Sequence, residues 1–224
     1  MKKIQINNLT INSSNSITDL CKLGIKYPTD KSPYCTESYT TTHGSGHRHP
    51  YTAVYDLLFS TLRYKNNKLA EIGILDNMSM ACWREYFPNS TLFGFEFNQD
   101  FINIAKKFNL VNTTYDFIDV KNDNSINDCL SKYGNYDIII DDSTHIFEDQ
   151  IRICNIAYKF LNEGGILIIE DIFRSESEEK YFLQLESINK YFSTITFINT
   201  EHNLLYSPGW NNDKLLILFR NNIL

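Results

Sequence analysis

Two apolar runs in this chain stop in acid. Tyr136-Asp137-Ile138-Ile139-Ile140 leads into Asp141-Asp142, and Gly165-Ile166-Leu167-Ile168-Ile169 leads into Glu170-Asp171. Apolar runs of this kind read as strands buried on both faces, the mark of a parallel sheet covered by helices. Parallel strands finish at one edge of their sheet, so both acid pairs land on the same edge. Carboxylates clustered there are costly unless a cation or a proton shares the charge. His145 follows Asp142 by three residues and places a ready base beside them.

The rest of the chain supports that sheet. Strands are predicted at 69–73, 91–96, 112–118, 136–142, 165–170, 193–198 and 214–219. Helices are predicted at 79–86, 100–108, 125–133, 147–161 and 176–191. Such alternation means βαβ units, a parallel sheet and helices on both faces. No full helix separates the last two strands, so the end of the sheet is expected to be antiparallel. Residues 1–62 are polar and weakly periodic at first. They read as an N-terminal arm and cap, with a short helix near Thr18–Leu23, a Gly-Ser-His loop at 43–50 and an amphipathic helix over 51–64. The core domain is then 63–224.

Composition narrows the function. The chain has 224 residues, 42% hydrophobic and 21% charged, as in an ordinary globular protein with one sizeable core. A net charge of -6 argues against a general nucleic-acid binder. The N-terminus lacks the apolar stretch of a signal peptide, and no run suffices to span a bilayer. Five scattered cysteines without a C-x-x-C pair suit thiols in a reducing cytoplasm. The reading allows a homo-oligomer.

The strand ends carry the chemistry. Glu71-Ile72-Gly73 leads through a one-glycine turn to a helix opened by Ser79, where a ligand can approach the backbone and the helix N-terminus. Two of the three glycines of a dinucleotide fingerprint are absent, which argues against a nicotinamide oxidoreductase. Glu96 ends the next strand at the spacing of an acid that accepts from ribose hydroxyls. At the third strand end, Asp116 is placed to accept from an adenine amino group, with Phe117 against the ring. Asp142, Glu170 and Asp171 offer the oxygen ligands that Mg²⁺ prefers, and His145 can take a proton from a hydroxyl held there. Asp141 reads equally well as a cofactor contact or as a cap for the following helix. His43, His47 and His49 lie in a Gly-Ser loop rather than on a helix, which suits substrate contact better than zinc. Tyr34, Tyr51, Tyr55, Tyr206 and Trp210 offer stacking faces.

Together these residues resemble the class I S-adenosylmethionine-dependent methyltransferases, and among them the metal-dependent sugar O-methyltransferases of the macrocin and mycinamicin type. The resemblance rests on Tyr27-Pro28-Thr29-Asp30-Lys31, on His49-Pro50-Tyr51-Thr52 followed by Tyr55, and on Glu71-Ile72-Gly73-Ile74-Leu75. It continues with Trp83-Arg84-Glu85-Tyr86-Phe87-Pro88-Asn89, Ile140-Asp141-Asp142-Ser143-Thr144-His145 and Ile169-Glu170-Asp171. It implies a Rossmann-like, mostly parallel seven-stranded sheet with an antiparallel last strand and a small N-terminal cap. It also implies S-adenosylmethionine and Mg²⁺ as cofactors. Asp142, Glu170 and Asp171 match the metal ligands, His145 the general base, and Glu71, Gly73 and Glu96 the cofactor strand ends. Thr29, His49 and Tyr51 fall where the substrate is expected. Asp116-Phe117-Ile118-Asp119 departs from the family's D-Q-S-D, with Phe117 in place of glutamine. Pro28 replaces a glycine of the family's Y-G-T-D-K. The chain is short for the group, so an added oligomerisation or substrate domain is expected to be absent. The implied reaction is methyl transfer to a sugar hydroxyl on a nucleotide-linked, polysaccharide-precursor or natural-product sugar. A non-sugar vicinal diol, such as a catechol or a polyketide, and a non-catalytic cofactor-binding protein are the alternatives.

Overall fold

A computed structural model describes residues 7–35 and 46–222. Among them one sheet has eight strands: β1 (Asn7–Asn12), β2 (Lys68–Ile72), β3 (Thr91–Glu96), β4 (Thr113–Phe117), β5 (Tyr136–Asp141), β6 (Leu161–Ile172), β7 (Phe192–Glu201) and β8 (Lys214–Arg220). The helices are α1 (Asp19–Lys26), α2 (Tyr51–Phe59), α3 (Met78–Tyr86), α4 (Gln99–Lys107), α5 (Asp123–Tyr133), α6 (Phe147–Ala157) and α7 (Glu178–Gln184). Strand order is β1-β7-β8-β6-β5-β2-β3-β4. β8 runs antiparallel to both β6 and β7, and the other pairings are parallel. The order reverses between β5 and β2, and such a switch point opens a crevice beyond the carboxyl ends of the strands.

Local chemistry explains the helix boundaries. Thr18 accepts from the amide of Cys21 at the start of α1, and Lys26 closes that helix. Asn98 and Asn122 cap α4 and α5 in the same way, with Asp100 and Asp123 in the first turns. The sheet separates two apolar layers. Ala70, Ile139, Leu167 and Ile169 pack with α5, α6 and α7. Leu69, Ile138, Ile140 and Ile168 pack with α1, α2, α3 and α4.

Three expectations need correction. The sheet has eight strands rather than seven, because the segment assigned to an arm contributes β1 beside β7. Five of the six β1 residues are exposed, so this edge strand is held by backbone pairing and lacks the apolar alternation that reveals a strand. The boundary near residue 62 separates no cores: Leu20, Tyr55 and Phe59 share one cluster with Leu69 and Trp83. The helix expected over 176–191 ends at Gln184, and the chain then turns to bury Leu185 and Ile188.

Candidate active site

The strand-end acids divide by parity. Side chains along a strand alternate between the two faces of the sheet. Glu71, Asp142 and Glu170 continue the series that contains Leu69, Ile140 and Ile168, so they point toward the layer of α1, α2 and α3. Asp141 continues the opposite series with Ile139. Asp171 would follow it, but its φ of 57° turns the backbone out of the strand.

The first three acids converge on one lysine. Lys31 Nζ donates to Glu170 Oε2 at 2.7 Å and to Asp142 Oδ2, and lies 3.3 Å from Glu71 Oε1. Lys31 is 2% exposed. Its turn is pinned by the start of α2, where no side chain caps the helix: the amides of Tyr51 and Thr52 both donate to the Lys31 carbonyl at 3.1 Å. A Cβ on Gly24 would lie 2.5 Å from Ser32 Cβ, so only glycine lets α1 press this closely on the turn. Tyr55 donates to Glu170 Oε1. Ser79 Oγ and Trp83 Nε1 both donate to Glu71 Oε2 at 2.9 Å. Burial opposes the charge of Lys31, but Asp142, Glu170 and Glu71 overcome it and hold its pKa well above the ordinary value. Burial likewise lifts the Glu170 carboxyl far above its usual range, and lifts Asp142 to about 7 against the pull of Lys31.

A second group faces open space. Single ligand atoms of Asp142, His145 and Asp171 lie within 4.8 Å of one another. His145 Nε2 is 3.6 Å and His49 Nε2 3.8 Å from Asp171 Oδ2, and Tyr51 donates to Asp171 Oδ1 at 2.6 Å. His49 Nδ1 is 2.8 Å from Asp213 Oδ1. Burial disfavours a charged His49, yet Asp171 and Asp213 reverse that and raise it to about 10. Burial works against the Asp171 carboxylate too, and His49 and His145 hold it below its ordinary value. His145 has a φ of 56°, so two residues of this group sit in a backbone region that non-glycine residues rarely adopt. Strain of that kind gathers at functional sites. Two carboxylates converging on open space suit a hard divalent cation, which leaves coordination positions for water or substrate, and the His145 imidazole stands beside them.

His49, Asp142, His145 and Asp171 line one end of a cavity of about 750 Å³ that crosses the switch point. Phe97, Phe101, Ile118 and Val120 line the other end, with Glu96 and Asp119 beside them. Glu96 Oε2 accepts from the amides of Ile74 and Leu75 at 3.1 and 3.3 Å.

No protein-family model matches the chain. It is 27% identical over 135 residues to the 8-demethyl-8-alpha-L-rhamnosyl tetracenomycin-C 2'-O-methyltransferase of Streptomyces olivaceus, covering 55% of this chain and 33% of that protein. It is 24% identical over 173 residues to the L-olivosyl-oleandolide 3-O-methyltransferase of Streptomyces antibioticus, covering 73% of this chain and 39% of that protein. The chain thus spans about a third of the length of these curated relatives. Among solved structures, the MycE methyltransferase of the mycinamycin biosynthetic pathway, in complex with Mg and SAH, matches with a TM-score of 0.67 at 17% identity, covering 92% of this chain and 56% of that one. The fold is that of the class I methyltransferases.

On this methyltransferase fold, Gly73, Ser79, Glu96, Asp142, His145, Asp171, Thr29 and His49 all line the cavity. Gly73 carries a φ of 86°, and a Cβ there would lie 2.1 Å from the Asp142 carbonyl oxygen. The glycine thus lets two strand-end loops touch, a stronger demand than the ligand approach inferred from sequence.

Other predicted residues stand elsewhere. Glu170, expected as the third acid on the metal, faces Lys31 and Tyr55 because parity turns it into the core. Glu71 is buried behind Ser79 rather than on the cavity wall. Tyr51 lies behind Asp171 and orients it. Asp141 is 1% exposed, accepts from Ser143 Oγ at 2.6 Å, and is raised by burial to about 6. Asp141 therefore braces the Ser143 turn and does not cap the following helix, since α6 begins after Ile146 without a side-chain cap. Asp116 is held by Lys132 at 2.6 Å and Tyr133 at 2.7 Å, on the far side of its strand; Asp119 lines the cavity in its place. Phe117 is exposed and packs on Phe97, whose ring does line the cavity. Among the loop histidines, His47 lines the cavity and His43 lies outside the described residues. Tyr34 pairs with the Ser16 carbonyl and His202.

Sequence reading assigned no role to Lys31, Asp213 or Asn212. The surplus of strand-end acids was the signal for Lys31, since buried carboxylates demand a buried cation. Nothing local marks the other two, which join the site only through the β7–β8 connection.

Proposed function

We propose that this chain transfers a methyl group from S-adenosylmethionine to a sugar hydroxyl with the help of Mg²⁺. The observation that carries the reading is the convergence of Asp142, His145 and Asp171 at one end of a cavity that also reaches Glu96 and the Gly73 turn. The curated relatives are named as O-methyltransferases of glycosylated natural products, and the MycE structures contain Mg and SAH. That chemistry fits the donors present here.

In this reading Asp142 and Asp171 hold the metal, with Lys31 and Tyr51 fixing their carboxylates. When bound, Mg²⁺ acts as a Lewis acid that makes a coordinated hydroxyl easier to deprotonate. His145 accepts the hydroxyl proton as the oxygen–carbon bond forms and the carbon–sulfur bond breaks. Glu96 and Asp119 accept hydrogen bonds from the cofactor, and Phe97 and Phe101 exclude water around it. The sulfonium is already reactive, so positioning and desolvation supply most of the rate. We place the chain in the cytoplasm: Cys21, Cys82, Cys129 and Cys154 are buried thiols that suit a reducing compartment. No helix among the described residues is long and apolar enough to cross a membrane.

The test is methyl transfer to a panel of sugar glycosides and catechols, followed by mass spectrometry, with and without EDTA. Transfer to a glycoside that stops with EDTA is expected. His145→Ala should lower kcat by about 10²–10⁴-fold while calorimetry still detects SAH binding. Full activity in EDTA or in His145→Ala would sink the mechanism, and transfer to catechols alone would move the substrate class.

A further inference from the structure

One wall of the cavity has no part in the transfer chemistry. The connection between β7 and β8 brings Trp210 and Asn212 to the cavity beside Asp171 and His145. Trp210 is 46% exposed. Its indole stacks on Phe173, with centroids 5.6 Å apart and planes 28° apart, and it meets the rings of His47 and His145 edge to face. Asn212 is the opposite in character. It is 1% exposed, and neither Oδ1 nor Nδ2 finds a hydrogen-bond partner among the described residues. Buried carboxamides are normally paired, so an unpaired one on a cavity wall has capacity that a ligand can meet.

Both residues are held in place. The Tyr51 hydroxyl that orients Asp171 also contacts the Asn212 carbonyl, at 3.1 Å. The amide of Arg174 donates to the Asn211 carbonyl at 2.7 Å, and that of Thr200 to the Asp213 carbonyl at 3.0 Å. The Asn212 backbone is thus fixed relative to the carboxylate assigned to the metal, before any acceptor arrives.

We infer that Trp210 and Asn212 form the acceptor subsite for a pyranose ring. The indole takes the apolar C–H face of the sugar. The carboxamide, with donor and acceptor both available, pairs with a hydroxyl next to the one that is methylated. This inference rests on the sugar O-methyltransferase reading and deepens it by naming the side chains that read the ring beyond its reacting oxygen. A catechol also places a hydroxyl beside the reacting one, but it presents a π face to Trp210 rather than the C–H face of a saturated ring.

The test uses the full chain with SAH and Mg²⁺, titrated calorimetrically with the methyl glycosides of rhamnose, glucose and galactose and with 3,4-dihydroxybenzoate. The chain has two tryptophans, and Trp83 is 1% exposed, so indole emission reports chiefly on Trp210. A bound glycoside should shift that emission, and Trp210→Phe should remove the shift while keeping most of the affinity. Asn212→Ala and Trp210→Ala should each weaken glycoside binding by about tenfold. SAH affinity should stay within about twofold, which certifies the folded site; Trp210, being exposed, provides a variant with little risk to folding. Unchanged glycoside affinity in both alanine variants overturns the subsite and leaves the sugar reading standing. Binding and methylation of dihydroxybenzoate in preference to every glycoside overturns the sugar reading. No saturable glycoside binding by the wild-type chain overturns both.

Discussion

Glu71 and Glu96 end neighbouring strands of one sheet, yet they live in different solvents. Glu71 is fully buried, paired with Lys31, Ser79 and Trp83, and raised by burial above the usual carboxylate range. Glu96 stands at the cavity wall, with its oxygens on backbone amides of neighbouring loops. The difference extends to the two ends of the cavity. At one end a buried lysine balances three acids whose desolvation is severe. At the other end single acids stand among exposed aromatic rings, and water does most of the screening. Residues of the same type at equivalent strand ends therefore stand differently: one set holds the site together, and the other faces the cavity.

The largest effect should come from removing the shared cation. Lys31→Met leaves the buried Glu71 and Glu170 and the half-buried Asp142 without their shared partner and should cost about 3–5 kcal/mol in urea unfolding. Glu96→Gln, at the cavity wall, should cost under about 1 kcal/mol in the same assay. Equal losses would break the contrast.

Cofactor binding should invert the ranking. Glu96→Gln keeps one acceptor for the Ile74 and Leu75 amides but loses the second, and should weaken SAH about tenfold by calorimetry. Glu71→Gln should lower stability, yet bind SAH within about threefold of wild type once folded. If Glu71→Gln is the worse binder at equal folding, Glu71 belongs to the ligand-facing set.

The smallest effect lies beyond both ends. Burial works against the Asp116 carboxylate, but Lys132 and Tyr133 hold its pKa below the ordinary value. A depressed acid stabilises the fold above its unfolded pKa of about 3.9 and loses that contribution as pH falls through the folded value. Asp116→Asn should therefore cost under about 1 kcal/mol at pH 7, and the gap to wild type should narrow below about pH 3. A gap that widens in acid would reverse the sign of that coupling. SAH affinity unchanged in this variant would sharpen its place outside the cofactor site.

Much of this was legible in the chain. Apolar runs and helical periodicity located the strands from 68 onward, most plainly β5 and β6, where two-sided burial leaves an isoleucine-rich run. The acids at the ends of β5 and β6 marked the functional edge, since parallel strands must finish together. β1 escaped notice because its side chains face water and only its backbone pairs. Asp116 was preferred over Asp119 because spacing along a chain does not say which way a loop turns after its strand.

Sequence alone determined the strands from 68 onward, the edge at which they finish and the presence of acids, histidine and glycine there, because those follow from local periodicity and the common direction of parallel strands. Only tertiary structure decided which acids meet the cavity. A φ of 57° swings Asp171 outward while Glu170 stays in register and turns inward. Lys31, Asp213 and Asn212 reach the site through packing of distant segments. That geometry depends on how α2 and the β7–β8 connection dock, which no short window of residues encodes.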